Sequence, residues 1–312
     1  MAISKIQFQH GMGLSEFFQL YGTEEQCKKA LLNARWPHGY NCDRCGNKHA
    51  ISFNAKSTTY WQCCKCRYQT SLRSGTIFHG SKLPLTKWFQ AIFLIGQSKN
   101  NVSAMELYRH LKISYTAAWR MKHKLMQVML EQEADRKLQG DVVIDDAYLG
   151  GELPGKRGRG SENKAPFIAA VQMDNNHPLL VRFDLVSGFT KDAVVDWAKK
   201  YLNKSSNVVS DGLQCFTAVT QIGAAHSREI VGENRRSTDM PCFKWINILL
   251  SNLKTAISGT YHAFDFMKYA PRYLAERQFL FNFRFNLKDI FRTILTGCIT
   301  TGPRPEKWLR SS

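Results

Sequence analysis

The chain has 312 residues, enough for about two domains, and its 44% hydrophobic and 22% charged residues are ordinary globular composition. Its 43 Lys and Arg outnumber 25 Asp and Glu, and the resulting net charge of +18 draws polyanions, nucleic acid first and an anionic membrane surface second. No apolar run approaches the ~18 residues of a membrane span and the first residues lack a signal-peptide core, so a cytoplasmic protein is expected. In that compartment its nine cysteines serve as metal ligands or free thiols rather than disulfides.

Residues 1–35 carry a helical pattern, Leu14, Phe17 and Phe18, then Cys27, Ala30 and Leu31, with Thr23 as a cap. Residues 36–82 hold Cys42-x2-Cys45 and Cys63-x2-Cys66, two pairs with the spacing of a four-thiolate structural Zn²⁺ site. The β-prone stretch STTYWQ between them suits a zinc ribbon. Cys64 could replace Cys63 only by breaking the spacing, and His38 and His49 are alternative nitrogen ligands. A complete thiolate shell leaves no open position, so this metal is structural.

Residues 83–136 turn helical. Leu85, Trp88, Phe89, Ile92, Phe93 and Ile95 mark one helix, and Ser103-x-x-Glu106 is a capping box that opens a second. A third begins near Ser114 or Tyr115. A short helix, a turn and a basic helix bearing Arg120, Lys122, His123 and Lys124 form a helix-turn-helix pattern that would contact DNA, or else an ordinary helical hairpin with solvated lysines.

Residues 137–290 alternate strands and helices. Val142, Val143 and Ile144 suit a strand buried on both faces, which places Asp145 where a carboxylate is costly unless it is paired or bound to a cation. The alternative is that Asp145 or Asp146 opens a turn. By strand alternation Asp146 points to the opposite face and is structural. A Gly/Arg loop with Arg157 and Arg159 follows, suited to phosphates. Apolar runs at 166–173 and 179–186, an amphipathic helix at 190–202, a strand NVVSD ending at Asp211, a helix near 215–219, a strand near 227–231 and a helix at 245–257 complete the pattern. Three strands, a helix, a strand, a helix, a strand and a helix make an α/β mixed sheet in ribonuclease-H-like order. Beyond it Tyr269–Asn286 is an aromatic, basic helix in which Arg272, Arg277 and Arg284 could add to a DNA surface. Residues 291–312 form a tail, frayed from Thr300.

The two CxxC pairs, SGTIFHGSKLPLTKWF, VIDDAYLGG, KRGRG, SDG and WINILLSNLKTAISGTYH, in that order, resemble prokaryotic insertion-sequence transposases of the DDE superfamily, in the branch with a zinc ribbon and an Asp-Asp-Asn-Lys signature. The resemblance covers about residues 30 to 290. It implies a multidomain chain of zinc ribbon, helix-turn-helix region and ribonuclease-H-like catalytic domain. It also implies catalytic Asp145, Asp211, Asn247 and Lys254, the first three holding Mg²⁺ or Mn²⁺ for DNA cleavage and strand transfer. The partners it implies are double-stranded DNA, as terminal inverted repeats and target, and further copies of the chain at the nucleoid. Glu233, Asp239 and Asn252 are alternative third ligands, and His226 and His262 could assist or be structural. Two other readings stand beside this one: a DNA-binding regulator that has lost the chemistry, and a structure-specific nuclease of the same superfamily.

Overall fold

The computed structural model describes residues 9–311 apart from 57, 151–163, 231–239 and 262–263. In chain order its elements are α1 (Leu14–Tyr21), α2 (Glu24–Arg35), β1 (Ala50–Ala55), β2 (Thr58–Cys63), β3 (Gln69–Ser71), α3 (Leu85–Gln97), α4 (Ala104–Leu111) and α5 (Tyr115–Gln132). There follow β4 (Asp141–Leu149), β5 (Ala165–Asp174), β6 (His177–Leu185), α6 (Lys191–Tyr201), β7 (Asn207–Ser210), β8 (Ala225–Arg228), α7 (Lys244–Thr260), α8 (Phe266–Asn282), α9 (Leu287–Thr300) and α10 (Glu306–Ser311). A 3-10 segment, Gln214–Ile222, lies between β7 and β8. The chain divides into two compact units, residues 1–131 with 285–311, and residues 132–284.

In the first unit both expected caps form. Thr23 and Gln26 close a reciprocal capping box on α2, and Ser103 and Glu106 do so on α4. Pro84, which precedes α3, has no side-chain acceptor, and Glu24 of α2 substitutes for one by accepting the N–H groups of Leu85 at 2.9 Å and Thr86 at 3.1 Å. Phe17, Tyr21, Phe89, Phe93 and Phe291 form one aromatic core, with ring centroids 4.6 to 6.0 Å apart. Helices α3 and α9 approach closely at Gly96, where a Cβ would lie 3.3 Å from a methyl of Ile290.

The expectation of a frayed end from Thr300 is corrected. The chain re-forms α10, with Leu309 0% exposed, and Arg304 holds Glu131 at 2.6 Å. A single apolar anchor and its flanking ion pair give this terminus the burial that fraying requires it to lack. The smaller sheet of this unit has the order β1-β2-β3, antiparallel throughout.

The second unit is a sheet of order β6-β5-β4-β7-β8, antiparallel among its first three strands and parallel from β4 to β7 to β8, the ribonuclease-H-like order expected. An Asn175-Asn176 turn, both residues at positive φ, joins β5 to β6. Alternation along β4 sends Val142 and Ile144 to one face, against Val194, Trp197 and Ala198 of α6 and Phe216 of the 3-10 segment. Val143, Ala147 and Leu149 face the other way, against Ile246, Leu249, Leu250 and Leu253 of α7 and Leu274 of α8. The continuous apolar run of β4 is thus buried on both faces.

The open edge of β6 is closed by amides of α8. Asn282 accepts from Val181 N–H at 2.8 Å and donates to Val181 carbonyl at 3.1 Å, while Gln278 accepts from Phe183 N–H at 3.0 Å. The same two amides donate to the buried carboxylate of Glu133 at 2.8 and 3.0 Å, and Arg136 pairs with it at 3.1 Å. A buried carboxylate with that many donors is stable; stripped of them it would cost roughly 3–5 kcal/mol.

Candidate active site and metal centres

The four-thiol site is built from two equivalent knuckles. In each, an N–H four residues on returns to the first cysteine's carbonyl, Gly46 to Cys42 at 2.9 Å and Arg67 to Cys63 at 3.0 Å, and both donors sit at positive φ, +69° and +59°. Cys42 Sγ lies 3.6 Å from Cys66 Sγ, and Cys45 Sγ 3.6 Å from Cys63 Sγ. All four sulfurs lie within 4.8 Å of one another. Zinc–sulfur bonds of about 2.3 Å in a tetrahedron put sulfurs about 3.8 Å apart, so the thiols fit this ion. The N–H of Cys66 lowers the Cys63 thiol to about 6 against the effect of burial, helped by the Lys65 N–H and the Asn47 amide. Cys64, His38 and His49 stand outside the cluster.

The second cluster is made by the larger sheet. Parallel pairing of β4 with β7 ends at Ile144 opposite Ser210, so Asp145 and Asp211 are the next residue on each strand. Asp145, Asp146 and Asp211 each offer a carboxylate oxygen within 4.8 Å of the others. The expectation that Asp146 stays apart is corrected by this geometry. Past Ser210, β7 no longer flanks β4, which leaves both carboxylates access to the space at its end. Asp145 accepts the N–H of Asp146 at 2.9 Å, and Asp211 accepts that of Leu213 at 3.0 Å, an Asx turn into the 3-10 segment. Neither acid merely opens a turn.

Burial, then the charges of Asp211 and Asp146, push the Asp145 carboxyl up to about 7, while the Asp146 N–H and Lys254 oppose them. Lys254 and Asn247 lie on α7, which packs on the face that Asp145 shares with Val143 and Ala147. Seven residues is nearly two helical turns, so both sit on one side of α7. Asn247 is half-buried, and its Nδ2 is a buried atom with no hydrogen-bond partner among the described residues. Turning the amide over places its oxygen there, a buried acceptor of the kind a cation satisfies. The three grouped carboxylates are an all-oxygen donor set, which suits a hard divalent ion such as Mg²⁺ or Mn²⁺.

His226 shares a 2.8 Å hydrogen bond with Ser210 Oγ, and burial followed by the charge of Arg228 holds its pKa down. Asn252 is an exposed residue of α7. Glu233, Asp239, His262, Arg157 and Arg159 lie outside the described residues.

Two expectations about basic residues are corrected. Lys122 is 1% exposed and Lys124 is buried, its ammonium donating to Ile77 carbonyl at 2.8 Å beside the Trp88 ring, with burial bringing its pKa down to about 8. Neither can reach a phosphate from there. Helix α5 is buried continuously from Met121 to Met129 because it is a core helix of its unit. Arg120 alone of the three is exposed, and it pairs with Glu306 at 3.4 Å. In the second unit Arg272 is buried and Arg277 half-buried, while Arg284 donates to the carbonyls of Pro178, Leu179 and Phe281. Arg284 thus ties the chain just past α8 to β6.

Comparison with known proteins agrees with this layout. Residues 22–69 match the family model of a transposase zinc-ribbon domain, and residues 137–286 that of an ISXO2-like transposase domain. The chain is 27% identical over 166 residues to an uncharacterized protein in transposable element ISH50 of Halobacterium salinarum. That match takes in 47% of the chain and spans about half, 55%, of the relative's length. Four thiols in the ribbon and a carboxylate cluster on the mixed sheet fall inside the two matched regions, and the chain belongs to the zinc-ribbon-bearing DDE transposases of insertion sequences.

Proposed function

We propose that the chain binds the terminal inverted repeats of an insertion sequence, cleaves DNA beside them and joins the freed ends to target DNA. The observation that carries this reading is the meeting of Asp145 and Asp146, midway along β4, with Asp211 just past the carboxyl end of β7. Asp145, Asp211 and Asn247 would hold Mg²⁺ or Mn²⁺. Bound there, such ions supply Lewis acidity to the entering and leaving oxygens of an in-line displacement at phosphorus. Asn247 is a neutral donor, and Asp146 makes up the missing negative charge. Lys254, exposed on α7, offers its ammonium to the DNA phosphate beside the carboxylates. Asn247 has no basic atom, so proton removal from the attacking hydroxyl falls to water or to a carboxylate.

Duplex DNA would meet the exposed side of α4 and the start of α5, including Arg120, with Arg157 and Arg159 contributing from the Gly/Arg loop. A complex with paired DNA ends calls for more than one copy of the chain. A labelled duplex carrying the element's terminal repeat tests the reading. Mg²⁺-dependent nicking and joining of a 3′-hydroxyl end are expected from the native chain and neither from Asp145→Ala. Nicking without joining would mean a nuclease, and nicking by Asp145→Ala would remove the assignment.

A further inference from the structure

From Arg44 through Met105 the chain has nine Lys and Arg and no Asp or Glu, and the ribbon's one acid, Asp43, is paired with Arg35 at 2.9 Å, so the zinc ribbon is a strongly cationic module. Its sheet has two unlike faces. One turns Trp61 against buried Trp36, ring centroids 5.1 Å apart. The other carries Ile51, Phe53, Tyr60 and Gln62, since Ile51 pairs with Gln62 and Phe53 with Tyr60 across the ladder. Ile51 is 62% exposed and Phe53 36%. Phe53 and Tyr60 stand nearly parallel, centroids 5.8 Å apart and planes inclined by 20°. Next to them Gln69 donates to Gln62 at 2.9 Å, an amide pair with hydrogen-bonding capacity left over. Exposed Arg44, Lys48, Lys56, Lys65 and Arg67 belong to the same ribbon.

We infer that this outer face of the ribbon is a stacking platform for unpaired DNA bases, with the ribbon's cations on the flanking phosphates. Charge complementarity selects the occupant. A second copy seated face to face would set two strongly cationic modules together, whereas DNA brings one negative charge per nucleotide. Bases inside a duplex cover one another's π-faces, so a flat aromatic pair on a sheet gains from DNA whose bases are unstacked. The choice of DNA as the polyanion rests on the transposase reading.

The test is equilibrium binding of a fluorescent 20-nucleotide dT strand to the full-length zinc-loaded chain at fixed salt without divalent ions, beside a duplex of equal length. Stacking contributes about 1–3 kcal/mol per base, so Phe53→Leu and Tyr60→Leu should each weaken binding of the single strand about fivefold or more, the duplex being less affected. Lys48→Ala with Lys56→Ala should lower the slope of log affinity against log salt by up to about 1.4, or about 0.7 per lost phosphate contact. Unchanged zinc content verifies that the variants fold. Single-strand binding by the Phe53→Leu, Tyr60→Leu double variant within twofold of native would overturn the inference. So would equal losses for strand and duplex, a change confined to the oligomeric state in sedimentation, or binding to anionic phospholipid vesicles with none to dT. The assay uses neither divalent ion nor Asp145, so a failure of DNA cleavage leaves its result standing, and the reverse holds as well.

Discussion

The thiol cluster and the carboxylate cluster are both gatherings of anionic ligands, yet they are assembled in opposite ways. Each cysteine pair sits on a knuckle five residues long with its own backbone hydrogen bond, and two such turns joined by a hairpin complete the set. The carboxylates come from residues 66 positions apart and meet only because β4 and β7 run parallel and β7 stops one residue short. The first set closes its shell and can only hold structure. The second gathers beside a strand end, with the charge of Lys254 felt from α7, and three carboxylates alone do not complete a divalent ion's shell.

The contrast is sharpest when one ligand is removed from each side. Cys42→Ser or Cys63→Ser should release the zinc and unfold the ribbon, since binding a structural ion is itself folding free energy of roughly 10 kcal/mol or more. The expected result is lost zinc by elemental analysis and lost DNA binding in the same sample, with divalent-ion binding at the carboxylates retained. Loss of both metal sites together would mean that the clusters are not independent.

Asp145→Asn should act in the reverse sense, abolishing cleavage while making the ion-free chain more stable at pH 8. The folded chain keeps the Asp145 proton up to about 7, whereas the unfolded chain releases it near 4. Between those values the folded state binds more protons, so this group's contribution to stability falls as pH rises from about 4 to 7 and is flat above. Thermal unfolding of native and variant chains across pH 4 to 8 should therefore diverge by on the order of 2 kcal/mol after solvent screening. Parallel curves would show that Asp145 is ionised throughout.

These differences follow what was legible in the sequence. The ribbon could be read in full because knuckle spacing is a local property, and burial on both faces of β4 followed from three consecutive β-branched residues. Asp211 was visible as the acid ending a strand, but its meeting with Asp145 needed the strand order. Simple alternation sets Asp146 apart from Asp145, but at that row β4 keeps β5 as its neighbour and no longer has β7, and both carboxylates reach the space β7 leaves. Lys122 and Lys124 looked like a recognition surface because lysine is usually solvated. The surroundings of Lys124 are Ile77, Trp88 and Cys298, residues remote in sequence, and nothing in the helix itself records them. The return of α9 and α10 to the N-terminal unit was equally hidden, since burial of Phe291 and Leu309 is decided by partners across the chain.

The central claim is that Asp145, Asp146 and Asp211 form one divalent-ion site to which Asp146 contributes. Titration of the zinc-loaded chain with Mn²⁺, read by the electron paramagnetic resonance of the free ion, tests it without any need for activity. Saturable binding is predicted for the native chain, with Asp211→Asn abolishing it and Asp146→Asn weakening it by about 10- to 100-fold, the range for a residue supporting a metal shell. Native Mn²⁺ affinity in both variants, with zinc content unchanged, would contradict the account.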